Sequence, residues 1–185
     1  MLSGPGSYFV RRFLILLWAL VLVGAGACRS VDLSVYPKAE RTAYLFNFTN
    51  DSFEPDVNRL AFLATRDEIS RRHNFFLQAD QSAARWFVYG SITAFRRKGL
   101  MYDDFRNPSR LEFLVLCRLR IYKQTQNERS LVHSEELSAR VSFSPAEGVA
   151  ESEQSALQRM SRLLARQIAT VIEKQFLNQQ PQSRD

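Results

Sequence analysis

The sequence predicts an α/β two-layer sandwich, one four-stranded mixed sheet with two helices packed on it in the order β-α-β-β-β-α. Three runs of period-two alternation, at 86–97, 111–124 and 131–143, stand between two stretches of helical spacing, 55–74 and 150–176. A strand precedes the first helix, so that helix is a crossover and the first strand can lie parallel to a neighbour. The three later strands follow one another with short connections and read as an antiparallel meander.

Residues 42–50 put Tyr44, Phe46 and Phe48 on one face and Ala43, Leu45 and Asn47 on the other, a short first strand. Turn chemistry follows in Asn50, Asp51, Ser52 and Pro55. From Pro55 onward, Val57, Leu60, Ala61 and Ala64 form an apolar stripe, while Phe62 and Ile69 project to another side and are expected to face a partner. Residues 86–97 alternate around Gly90, and a polar connection leads to the strongest strand, whose Leu111, Phe113, Val115, Cys117, Leu119 and Ile121 face belongs to a core. Leu114 and Leu116 suggest partial cover on its other side. The fourth strand turns Leu137, Ala139, Val141 and Phe143 inward, after a turn at 126–130. In the last helix Leu157, Met160, Leu164, Ile168, Val171, Ile172 and Phe176 repeat at three and four, with Arg159, Arg162, Arg166 and Glu173 on the polar side. Ser144-Pro145-Ala146-Glu147 has the form of a capping box, although Gly148 weakens a helix begun there.

The N-terminus has a different character. Arg11 and Arg12 precede an eleven-residue apolar run, 13–23, and small residues then lead to Cys28. The run is too short to span a bilayer, which needs ~20 apolar residues. This is the form of a secretory signal, and a cysteine directly after small residues marks lipid attachment at Cys28, with Ala25 where a leucine is usual. The expected organisation is a signal peptide over 1–27, lipidated Cys28 and a tether over 28–41, the α/β domain over 42–177, and a frayed tail over 178–185. Acyl chains on Cys28 would hold the chain on a membrane without a spanning helix.

The net charge of +6 falls to +4 once Arg11 and Arg12 leave with the signal, and no long Lys/Arg block occurs, so no nucleic acid is expected as a partner. Cys117 is then the one remaining cysteine, set among strand residues as a small buried hydrophobe. His73 and His133 lie far apart, with no cysteines at ligand spacing, so neither a metal nor a cofactor is expected. There is no nucleophile elbow, no Ser/His/Asp set and no phosphate-cradling glycine loop, and the adjacent Glu135 and Glu136 point to opposite sides of a strand. A binding or assembly protein is expected, not an enzyme.

At the junction of first strand and first helix, Phe48-Thr49-Asn50-Asp51-Ser52-Phe53-Glu54-Pro55 resembles the F-x-N-x-[ST]-x-x-P pattern of the LptE-type lipopolysaccharide-assembly lipoproteins. The order of elements, the lipid-bearing cysteine and a hydrophobic strand with a central glycine agree with it. The resemblance implies a lipoprotein on the periplasmic face of the outer membrane, lodged as a plug in the LptD β-barrel, assisting its assembly and binding lipopolysaccharide. Arg29 after the cysteine is compatible with outer-membrane sorting. Arg96, Arg97 and Lys98, with Arg118, Arg120 and Lys123 on the next strand, are the cations expected to meet lipid A phosphates. The alternative is an outer-membrane lipoprotein that activates a peptidoglycan synthase or serves a secretion apparatus.

Overall fold

Backbone pairing in the computed structural model assembles one sheet from six strands, and the structure describes residues 32–126, 128–145 and 151–180. The strands are β1 (Thr42–Leu45), β2 (Thr49–Asn50), β3 (Phe76–Leu77), β4 (Trp86–Tyr102), β5 (Pro108–Thr125) and β6 (Glu128–Phe143). Helix α1 (Val57–Arg72) lies between β2 and β3, and α2 (Glu153–Asn178) follows β6. The sheet runs β3-β1-β4-β5-β6, with β2 also paired to β4. Pairs β1/β3, β1/β4 and β2/β4 are parallel, whereas β4/β5 and β5/β6 are antiparallel. The mixed sheet, the crossover helix and the three-strand meander are therefore present, and both helices pack on one face.

Six strands replace the expected four because β2 and β3 are two residues long, too short for any alternation to register. The run at 42–50 is one strand in the sequence pattern but breaks after Leu45. Tyr44 and Phe46 stay on the side away from the helices, where the Phe46 ring stacks on Tyr89 at 4.0 Å. Phe48 is instead turned into the core beneath α1, edge-on to Phe62 at 6.2 Å.

Asn50 organises the turn that causes this. Its Oδ1 accepts from the Ser52 amide (3.0 Å) and hydroxyl (2.7 Å), and its Nδ2 donates to the Glu54 carbonyl at 2.8 Å. Asn58, the second residue of α1, donates to the Phe48 carbonyl at 2.9 Å.

The core lies between sheet and helices. Phe113, Val115, Cys117, Leu119 and Ile121 of β5 meet Met160, Leu164, Ile168, Ile172 and Phe176 of α2. On α1 the buried positions are Val57, Ala61, Thr65, Glu68 and Ile69. Ile69, expected to face a partner, is core, and Phe62 is half-buried against Phe48. Rotation of α1 is set by its seat on β4 and α2, which the residue spacing alone does not specify.

Glu173, expected on the polar side of α2, is buried too. It accepts from Arg72 at 2.9 Å and from Asn74 at 2.8 Å. Helix α2 begins later than the capping-box reading placed it, with Ser152 as N-cap accepting from the Ser155 amide at 3.1 Å.

Two boundaries also move. The connection expected at 98–110 is mostly strand, since β4 runs to Tyr102 and β5 starts at Pro108. Residues 33–41, expected as tether, pack on the domain: Leu33 is fully buried, and Tyr36 meets Phe176 edge-on at 5.1 Å. Arg41 secures this segment by donating to the carbonyls of Tyr36 (3.1 Å) and Asn74 (3.1 Å) while lying over the Phe76 ring. The signal 1–27 and Cys28 lie outside the described residues, as does the tail beyond residue 180.

Candidate functional site

Strand alternation divides the cations of the meander between two faces. On β5 the odd positions 111–121 point to the helices, so Glu112, Leu114, Leu116, Arg118 and Arg120 point away. On β4 a bulge between Ile92 and Ala94 shifts the parity, so that Ser91 and Tyr89 before it, and Ala94, Arg96 and Lys98 after it, share that helix-free face. The register places Tyr89 opposite Arg120, Ser91 opposite Arg118, and Arg96 opposite Leu114. Across β5/β6, Arg118 faces Glu136, Arg120 faces Ser134, and Leu114 faces Arg140.

Four of the expected site residues, Arg96, Lys98, Arg118 and Arg120, are thus gathered on one open face, all exposed. None of the four has an ion-pair partner among the described residues. Arg97 is not with them. The bulge that turns Arg96 outward turns Arg97 toward the helices, where its Nη1 donates to Glu153 Oε2 at 3.0 Å at the start of α2 and its guanidinium lies 5.9 Å from the Phe113 ring centre. Opposite charge near a helix N-terminus and an aromatic face below explain its position. Lys123 is also on the helix side, over the Trp86 ring at 5.3 Å.

The same face carries features that the sequence reading missed. Tyr44, Phe46, Phe87, Tyr89 and Tyr122 form an aromatic cluster at the β1 end, with Tyr89 and Tyr122 edge-on at 5.3 Å. Phe87 is fully buried on this side, capped by the Arg129 guanidinium at 3.8 Å from its ring centre. Arg110 and Arg140 add charge toward the other end, Arg110 donating to Ser142 Oγ at 3.2 Å and Arg140 lying 3.7 Å from Glu112. Alternation in 86–97 and 111–124 contained the signal for this face, since most of its residues there are aromatic, aliphatic or cationic rather than uniformly polar.

Cys117, His133 and Glu68 lie off this face. Cys117 is fully buried, and burial pushes its thiol up to about 12. His133 Nε2 lies 3.2 Å from Glu135 Oε2 on the helix side of β6. Glu68 is raised by burial, but hydrogen bonds from Arg71 and Arg72 outweigh this and hold its carboxyl below the usual range. Arg72 also reaches Glu173, so one guanidinium joins two buried carboxylates across α1 and α2. This is structural cross-linking between helices, and the open face of the sheet is the candidate site.

No protein-family model matches the chain, and no curated protein matches it. Solved structures share its fold. The hypothetical protein CT253 from Chlamydia trachomatis superposes with a TM-score of 0.55 at 14% identity, over 74% of this chain and 98% of that one. Protein XCC0632 from Xanthomonas campestris does so with a TM-score of 0.51 at 9% identity, over 83% of this chain and 97% of that one. The rare lipoprotein B from Shewanella oneidensis, at 12% identity over 73% of this chain and 91% of that one, reaches a TM-score of 0.38, too low a likeness to bear on function. At such identities the likeness establishes a shared mixed α+β fold with two helices on a sheet.

Proposed function

We propose that this chain is a lipid-anchored outer-membrane lipoprotein, not an enzyme, that plugs and helps assemble an LptD-like β-barrel and binds lipopolysaccharide in transit. The observation that carries the reading is the open face, where unpaired Arg96, Lys98, Arg118 and Arg120 alternate with Leu114, Leu116 and Tyr89. Phosphates of lipid A would take charge-assisted hydrogen bonds from the guanidinium groups, and its acyl chains would lie on the apolar side chains between them. Two features of the sequence support it: the export signal ending at Cys28, and the Phe48–Pro55 junction, whose Asn50 and Ser52 build the turn that sets Phe48 in the core.

The test is recovery of the tagged full chain from envelopes in mild detergent. The expected result is a complex with an outer-membrane β-barrel, a palmitate label that Cys28→Ala removes, and less bound lipopolysaccharide in the Arg118→Glu, Arg120→Glu variant. A lone, unlabelled monomer at native abundance refutes the reading.

A further inference from the structure

The β4–β5 hairpin outruns the rest of the sheet. The last pair of β5 with β6 is Leu111 with Phe143, and α2 starts beside Arg97. From Gly99 to Arg110 the two strands therefore continue as a bare ribbon among the described residues, a form that is marginal in water. Its tip holds Leu100, Met101, Tyr102 and Phe105, with Phe105 86% exposed. The tip is nevertheless built. Asp103 Oδ1 accepts from the amides of Phe105 (2.9 Å) and Asn107 (2.8 Å), Arg106 adopts a φ of 62°, and the Tyr102 ring folds over Gly99. Four large apolar side chains held into solvent by an ordered turn mark a contact surface.

The helix-free face leading to this tip is positively charged. Arg96, Lys98, Arg110, Arg118, Arg120 and Arg140 stand on it against Glu112, Glu136 and Asp51, whose Oδ2 accepts from Ser91 at 2.9 Å. Cations spread over an open face, with an apolar and aromatic wedge at one end, match an anionic lipid surface: headgroups meet the cations, and the wedge enters the boundary with the acyl chains. A compact acidic protein would satisfy the cations but would leave the wedge uncovered.

The two ends of the molecule add a geometric argument. Leu33 packs at the Trp86 and Phe176 end, its amide donating to Asn74 Oδ1 at 3.4 Å, whereas the tip lies at the other end of the 17-residue β4. At ~3.3 Å per residue the separation is about 50 Å. A chain held to lipid through its N-terminal segment can bring the tip to the same plane when the sheet lies along that plane, and then the cationic face can face it.

We infer that, outside any barrel, the sheet docks flat on an anionic phospholipid surface, helix-free face down, with the β4–β5 tip inserted among the headgroups. Only the two-ends argument rests on the anchor proposed above; face and tip stand without it. The experiment uses the full chain with Cys28→Ser, in which buried Cys117 does not react, and a fluorophore on Phe105→Cys, Ser134→Cys or Gln167→Cys. These report on the tip, the open face and the outer side of α2. On phosphatidylglycerol vesicles carrying nitroxide lipid, positions 105 and 134 are quenched and 167 stays bright. Phosphatidylcholine vesicles, or Arg118→Glu with Arg120→Glu, reduce quenching at 134 several-fold. Bright signals at 105 and 134, quenching at 167 equal to theirs, or equal quenching at 134 on both lipids overturns the inference. A bright 105 on vesicles together with retained co-purification of a barrel overturns flat docking and leaves the plug standing.

Discussion

The ring of Phe48 lies across Gly90 so closely that a β-carbon on Gly90 would stand 2.7 Å from ring atoms Cδ1 and Cε1. Phe48 begins the junction motif and Gly90 is the fifth residue of β4, so two features that look separate in the sequence are one contact. Glycine is needed there for the close approach, and the approach is needed because the turn at Asn50 brings Phe48 inward beneath α1.

Gly90→Ala should therefore destabilise the fold by about 1–3 kcal/mol, the usual cost of overpacking. Urea unfolding measures it. Phe48→Leu costs stability on its own, but the double variant should lose less than the sum of the two. Strict additivity would mean that the ring moves aside freely.

Arg72 joins Glu68 and Glu173, and its removal leaves buried Glu173 without a cation and Glu68 with Arg71 alone. Arg72→Met should cost roughly 3 kcal/mol, at the lower end for a buried pair broken on one side. The Glu68 carboxyl is held below its ordinary 4.5 when folded, so the unfolded chain takes up the proton first as pH falls. Its contribution is complete above pH 4.5 and disappears as pH drops through the lowered folded value. Glu68→Gln should accordingly be less stable than wild type near neutrality, with the gap narrowing in thermal melts as pH falls below 4.5.

Cys117, with its thiol pushed up to about 12 by burial, should resist alkylation in the native protein near neutral pH and react at once in urea. Mass spectrometry of the alkylated chain separates the two states. Fast native labelling at position 117 would show that β5 opens locally.

Arg97 and the pair Arg118 and Arg120 should separate stability from binding. Arg97→Ala removes an exposed ion pair with Glu153, so stability falls by about 1 kcal/mol or less and binding of anionic lipid is unchanged. Arg118→Glu with Arg120→Glu should leave the melting temperature nearly unchanged and weaken that binding about tenfold or more, at ~1 kcal/mol for each cation at an anionic surface. Vesicle co-sedimentation and thermal melts on the same samples decide.

The sequence by itself determined the class of fold, the meander and the α2 core stripe, because runs of ten or more residues carry period two or 3.6 strongly enough to be read without a partner. Its cations were legible too, but not their grouping. A one-residue bulge after Ile92 exchanges the faces of everything beyond it, sending Arg96 to the open face and Arg97 to Glu153. Strands β2 and β3 are too short to show a pattern and exist through pairing with β4 and β1. Ile69 and Glu173 are buried because α1 and α2 lie against each other, and Phe48 is buried because Asn50 turns the chain. Periodicity is a local property and survives in the sequence, whereas the side a residue finally faces depends on pairings between segments far apart in the chain, which only the folded structure decides.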